Sequence, residues 1–274
     1  KRGGPDAVIE YSESYAVSRA QQKRSRELDY RRMPRDVQRL YDATIEKEWL
    51  GWLNLKAAEV ISPTAARKIP RRLVMPSRLC LTDKAEMLRT EEQPDLPIQA
   101  KARLVALGNC ARNLHRVRTD APTATTVASH VLFQHAASWG SDLVQGDVTQ
   151  GFMQGDLDPA AGAVYLSLPR GGLPGVAPGS LIRLKKSVYG LAEAPRAWWV
   201  KLRTALADAG FVESRLEKAT FALRTKKGEL CGLACTHVDD VIFTGFGETF
   251  SRALEKMKKS FTWGSWLVNA FTHC

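Results

Sequence analysis

Several features are scarce in this sequence. Its 274 residues include five cysteines, Cys80, Cys110, Cys231, Cys235 and Cys274, and no CxxC pair. Zinc sites usually draw on two such ligand pairs at set spacing. Cys231 and Cys235 do stand near His237. They alternate with apolar residues in a strand-like run, however, and read as buried free thiols. No apolar run reaches the roughly 18 residues of a membrane-spanning helix, and no signal peptide is visible, so no membrane partner is expected. Together with the odd cysteine count, this leads to the expectation of an intracellular chain kept reduced. No internal repeat or low-complexity tract occurs. The chain opens on Lys and stops at "FTHC", which reads as a piece of something longer.

Acidic residues are in deficit. There are 29 Asp+Glu against 40 Lys+Arg, a formal charge of +11. That favours an anionic partner, with nucleic acid first. The apolar fraction of 44% is enough for a packed core through most of the chain. One large domain or two modest ones fit the length.

Residues 1–33 are rich in charge, as in "AQQKRSRELDYRRM". They read as a flexible or helical basic arm that contacts phosphates, or as a solvated tail. From Pro34 to about Glu59 a helical period carries Val37, Leu40, Tyr41, Ile45, Trp49, Trp52 and Leu53. "PRRLVMPSRLCLT" (70–82) and "KARLVALG" (101–108) form an expected antiparallel strand pair with basic residues. Residues 123–139 predict a helix that Gly140 stops. His130 and His135 fall five apart on it, off a common face, and are expected to be structural or exposed. Leu143–Val148, "AVYLSLP" and "SLIRLKKSVYG" read as strands. A helix opens at Pro195 with Trp198, Leu202 and Leu206 at core spacing and closes at Gly210. "ATFALRT" and "ELCGLACTHV" predict a hairpin, "VIFTG" a further strand, and 248–260 a last helix. The expected class is α+β, a mainly antiparallel sheet with helices packed on one face.

One stretch carries an evident electrostatic cost. "ACTHVDDVIFTG" (234–245) sets Asp239 and Asp240 side by side between apolar strands. Aspartate is a poor strand former, and like charges repel. A tight turn would hold both carboxylates above the sheet, where a hard divalent cation relieves the repulsion. Asp147 ends another apolar strand in "DLVQGD". If the strands adjoin, three carboxylates converge, a natural setting for two Mg²⁺ ions and phosphoryl transfer. A solvated turn is the alternative.

Four segments carry a family resemblance. "KARLVALG", "QGDVTQGFMQGDL", "LKKSVYGLAEAPRAWW" and "HVDDVIFTG" are similar, in order, to motifs of the reverse transcriptase domain of Ty1/copia-type retrotransposons, across about residues 36–262. The resemblance implies a right-hand polymerase fold with fingers (34–135) and palm (136–262). A short C-terminal segment (263–274) follows, with the thumb missing or incomplete. It implies RNA-directed DNA polymerase activity on an RNA or DNA template-primer with dNTPs, two Mg²⁺ ions (or Mn²⁺), and association with other parts of a Gag-Pol polyprotein. It also implies a place in the cytoplasm, within a virus-like particle, or in the nucleus. Asp147, Asp239 and Asp240 match the metal-binding aspartates, and the carbonyl of Val148 is an implied further ligand. Phe152 matches the aromatic under the incoming sugar, with a core aromatic as the alternative. Lys101 and Arg103 match the strand that approaches the triphosphate. Gly190 would allow close backbone approach to nucleotide and template. His237 and Val238 would face the primer end.

Departures from the pattern are His237 for the usual tyrosine, Ala192–Glu193 for Lys-Gln, and Gly151 for alanine. They leave the implied metal residues whole but make reduced activity plausible. The competing readings are a non-catalytic, transposon-derived nucleic-acid-binding remnant and an interaction domain with incidental aspartates.

Overall fold

The structure, a computed structural model, describes residues 27–89, 96–110, 118–157 and 162–270. Helix α1 (Arg35–Asn54) buries Tyr41, Ile45, Trp49 and Trp52 along one stripe. Leu40 and Leu53, placed on the same period from sequence, are instead exposed. The helix ends five residues before the expected Glu59. Lys56 takes a positive φ of 54°, and the chain turns into strand β1 (Ala58–Ile61).

The chain continues through a helical turn α2 (Pro63–Ala66), then β2 (Val74–Met75), β3 (Ser77–Asp83), β4 (Ala100–Ala106), helix α3 (Thr126–Trp139) and β5 (Leu143–Val148). Next come a helical turn α4 (Gly151–Gln154), β6 (Tyr165–Ser167), β7 (Leu181–Leu184) and helix α5 (Ala194–Ala209). The last elements are β8 (Val212–Glu213), β9 (Thr220–Arg224), β10 (Leu230–His237), β11 (Asp240–Gly245), helix α6 (Gly247–Ser260) and β12 (Trp263–Val268). Helix ends follow local chemistry. Thr125 accepts from the Ala128 amide to cap α3, and Gly140 and Gly210 close α3 and α5 in the left-handed region.

The described residues form three sheets, and the fold is α+β. The largest is a six-stranded sheet in the order β12-β5-β11-β10-β9-β8, antiparallel throughout. A four-stranded sheet runs β1-β7-β6-β2, and β3 pairs with β4 alone. Helices do not confine themselves to one face of the large sheet. Trp198, Leu202 and Leu206 of α5 and Phe250, Ala253 and Met257 of α6 share a core with Val144, Val241 and Phe243. Leu132 of α3 packs with Leu233 and Cys235 from the other side. The continuous apolar run in β10 is the physical reason: a strand covered on both faces needs no polar alternation. Cys231 and Cys235 are buried free thiols, as expected.

A division at residue 135 falls inside α3, and β6 and β7 pair with β1 and β2 rather than with the large sheet. Residues 263–268 form the edge strand β12, whose Trp263 and Trp266 meet edge to face at 4.7 Å. Residues 1–26 lie outside the described residues. Residues 27–33 are docked: Glu27 pairs with Arg78, the Leu28 amide donates to the Leu81 carbonyl at 2.9 Å, and Tyr30 donates to Asp42 at 2.6 Å. Among the described residues, no helix is long and apolar enough to cross a membrane.

Candidate active site

Neighbouring strands β5 and β11 bring the aspartates together. Asp147 is the fifth residue of β5, and Asp240, the first of β11, stands directly opposite it in the antiparallel ladder. Directly opposed residues carry side chains on the same face, about 5 Å apart at Cβ. The Val148 amide donates to the Asp239 carbonyl at 3.0 Å, tying the turn to β5. Asp239 and Asp240 do not share the turn. Its two residues are Val238 and Asp239, flanked by the pair His237 and Asp240.

This turn is strained. Val238 has φ 54°, a region that a β-branched residue rarely enters. The indole of Trp198 donates to the Val238 carbonyl at 2.7 Å and holds it there. Gln150, three residues beyond Asp147, is likewise at φ 51°. Two of the four positive-φ non-glycine residues described thus flank the aspartates, the kind of place where such strain collects. Val238→Gly is expected to stabilise the protein by about 1 kcal/mol by removing the left-handed penalty. Thermal unfolding checks this, and a lowered midpoint would count against strain at Val238.

A cleft of about 250 Å³ opens over Asp147 and Asp239 and is lined also by Glu48, Lys101, Arg103 and Tyr189. Lys101 and Arg103 are two apart on β4, so both side chains leave the same face of that strand. Arg103 lies over the Tyr189 ring, 5.3 Å from its centroid. Burial and the charges of Arg103 and Lys84 lower the Lys101 pKa. Glu48 is held by three donors: the Leu104 amide at 3.2 Å, the Trp52 indole at 3.2 Å and the Gln150 amide at 3.1 Å. Burial pushes its carboxyl up.

The aspartates repel one another in a partly dry setting. Burial, then the charge of Asp240, raises Asp147. Burial, then Asp147 and Asp240, raises Asp239 to about 6, against the pull of Arg103 and Lys101. One oxygen of Asp239, Oδ1, is buried without a hydrogen-bond partner. Hard carboxylate oxygens, one of them orphaned, in a cluster that needs positive charge suit a divalent cation. In the present side-chain arrangement, no three His, Cys, Asp or Glu among the described residues stand close enough together to hold one.

The other sequence-predicted residues fall as follows. Val148 lines the cleft. Phe152 does not: it is half-buried, packs against two cores, and meets Tyr189 edge to face at 5.1 Å. Tyr189 is the aromatic that faces the cleft. Gly190 makes its close approach to protein, not to the cleft. At φ 92° its backbone lies against the Ala106 carbonyl, and its own carbonyl accepts from the Gly108 amide at 3.1 Å. His237 is exposed, and Val238 is 41% exposed, at the rim of the turn. Sequence reasoning missed Glu48, whose signal was a lone carboxylate on an apolar helix stripe, and Gln150 and Tyr189, which stood inside quoted motifs.

A larger cavity, about 680 Å³, lies between residues 28–31, β3 and 170–174. It holds Asp29, Asp42, Arg78 and Arg170, whereas Glu48, Asp147 and Asp239 line the smaller cleft.

Residues 76–266 match the family model described as reverse transcriptase (RNA-dependent DNA polymerase). The retrovirus-related Pol polyproteins from transposons RE2 and RE1 of Arabidopsis thaliana are similar at 36% identity over 53% of this chain and 33% over 59%. That from transposon TNT 1-94 of Nicotiana tabacum is 24% identical over 54%. The chain spans about a tenth of the length of these relatives, 10%, 11% and 11% respectively. Among solved structures, telomerase from Candida albicans in complex with a fragment of telomeric RNA aligns at TM-score 0.46 and 8% identity, covering 86% of this chain and 47% of the other. Apo telomerase from Candida tropicalis aligns at TM-score 0.43 and 7% identity, covering 86% and 56%. The family model covers well over half of the chain, including β5, the Val238–Asp239 turn and Tyr189, and the chain belongs to the reverse transcriptase (RNA-dependent DNA polymerase) family, of the copia type.

Proposed function

We propose that this chain carries the nucleotidyl-transfer site of an RNA-directed DNA polymerase. The observation that supports this best is Asp147 opposite Asp240, with Asp239 in the adjoining turn, beside a cleft walled by Lys101 and Arg103. We assign α1, β3 and β4 to the fingers and the six-stranded sheet with α3, α5 and α6 to the palm. Asp147 and Asp239 would hold two divalent ions, Mg²⁺ or Mn²⁺, with Asp240 as a supporting carboxylate and the Val148 carbonyl as a further ligand. When bound, such ions neutralise phosphate charge and make the primer hydroxyl a better nucleophile.

The chain's own residues do the rest. Lys101 and Arg103 bind and orient the triphosphate through charge-assisted hydrogen bonds. Tyr189, fixed between Arg103 and Phe152, offers a ring against the nucleotide, and Phe152 supports it from behind. Glu48 fixes Gln150 at the rim. His237 and Val238 lie where a primer terminus would meet the turn. The primer 3′-OH gives its proton to solvent as its oxygen bonds to the α-phosphorus of the dNTP, and the bond to the bridging oxygen breaks as pyrophosphate departs.

A primer-extension assay with template-primer, dNTPs and Mg²⁺ tests this. Expected is nucleotide addition by the chain as it stands and none by Asp239→Asn. Binding of template-primer should weaken steeply with salt, because phosphates carry the contact. The exposed His237, standing where the family pattern has tyrosine, favours a second reading, a nucleic-acid-binding remnant without synthesis. Salt-sensitive binding with no extension by either protein would support that reading.

A further inference from the structure

A β-carbon added to Gly151 would lie 2.5 Å from Oδ1 of Asp239, 3.1 Å from its Cγ, and 3.1 Å from Cε2 of Trp198. Carbon and carboxylate oxygen do not pack that closely, so the oxygen fills space that only glycine leaves open. Burial without a hydrogen bond makes this an unfavourable place for a carboxylate oxygen. Asp239 nonetheless borders the cleft that Asp147 lines. Its carboxylate is therefore next to the proposed metal position but turned partly away from it, toward α4 and α5. The absence of a gathered three-residue ligand set among the described residues agrees with that.

We propose that Gly151 is a positioning residue that sets metal affinity. It provides a seat in which the Asp239 carboxylate rests withdrawn, and a divalent ion must draw the carboxylate out of that seat. This rests on the polymerase reading above. A ligand that binds only one of two conformers has its apparent affinity reduced by the fraction of molecules in the competent one. Filling the seat removes the withdrawn conformer and so tightens binding. The backbone does not oppose the change. Gly151 is not among the positive-φ glycines, and it opens a helical turn, where alanine is at least as comfortable.

Mn²⁺ binding to the metal-free protein, followed by the electron paramagnetic resonance of free Mn²⁺, tests the seat. Gly151→Ala is expected to bind Mn²⁺ more tightly than wild type, on the order of tenfold. Asp239→Asn in either background should bring both to one weak affinity. Equal or weaker binding by folded Gly151→Ala would overturn the seat and leave the polymerase reading standing. No binding by wild type would overturn both. A second measurement needs no change at Gly151. In wild type labelled with 5-fluorotryptophan, the Trp198 resonance, assigned by its loss in Trp198→Phe, should move on addition of Mg²⁺ because the indole borders the seat. A Trp198 signal that stays fixed at saturating Mg²⁺ contradicts the proposal, even if Gly151→Ala does not fold.

Discussion

Asp239→Asn is expected to stabilise the metal-free protein at pH 8 and to lower nucleotide incorporation at least about a thousandfold. Both effects arise from the same buried carboxylate. Its pKa is raised from 3.8 to about 6, first by burial and then by Asp147 and Asp240. The folded state thus holds this proton more tightly than the unfolded state. Stability falls as pH rises from about 4 to about 6, and above that the deficit is complete. Asparagine carries no charge at any of these pH values, so the gap between variant and wild type opens across that window. It should reach on the order of 2 kcal/mol at pH 8. Saturating Mg²⁺ reverses the order, because an ion that binds folded wild type more tightly than the folded variant stabilises wild type more. Denaturant titrations at pH 4 and pH 8, with and without Mg²⁺, check each part. A variant less stable than wild type at pH 8 without metal would contradict the burial of an unpaired charge.

Gly190→Ala is expected to cost more than about 3 kcal/mol. Its β-carbon would fall 1.9 Å from the Ala106 carbonyl oxygen and 2.6 Å from Cγ1 of Val105, at a backbone φ of 92°. Neither neighbour is the free end of a flexible side chain, so the strand or the loop must move. Gly108 answers from the other side: a β-carbon there would meet the Gly190 carbonyl at 2.2 Å. The two glycines let the loop after Tyr189 lie on β4, with the Ala106 amide donating to the Tyr189 carbonyl at 2.8 Å. Tyr189 and Arg103 both line the cleft, so loss of this contact should weaken nucleotide binding along with stability. A loss under about 1 kcal/mol with unchanged denaturant sensitivity would mean that the close approach is not structural.

The helices were the most legible part of the fold, because period and caps act within one turn. Tyr41, Ile45, Trp49 and Trp52 mark α1, and Thr125 and Gly140 bound α3. Strand β5 emerged at its expected limits, Leu143–Val148. What depended on distant partners did not emerge. The first two residues of β1, Ala58 and Glu59, looked like the tail of a helix because the strand's pairing with β7 lies more than a hundred residues away. Helix α3 shows little apolar asymmetry of its own, so its place on the second face of the sheet could be learned only from Leu233 and Cys235.

The site divided in the same way. The three aspartates were legible because charge in an apolar strand is a local anomaly, whereas Lys101 and Arg103 came only from the family resemblance. Lys101 and Arg103 proved to share the cleft with Asp147 and Asp239. Glu48 left only the local sign of a carboxylate on an apolar helix stripe, and its partners Leu104 and Gln150, 56 and 102 residues away, gave that sign no context. The exchange of Phe152 for Tyr189 at the cleft wall is a matter of which ring lies outermost in an edge-to-face pair, and no periodicity encodes that.

The most direct test is the position of metal in crystals soaked with Mn²⁺ and a dNTP, read from anomalous scattering. Expected is a peak bound by carboxylate oxygens of both Asp147 and Asp239, at about 2.2 Å, with the triphosphate toward Lys101 and Arg103. A nucleotide bound without metal at these aspartates, or metal on Asp147 while Asp239 stays against Gly151, would contradict a two-aspartate polymerase centre.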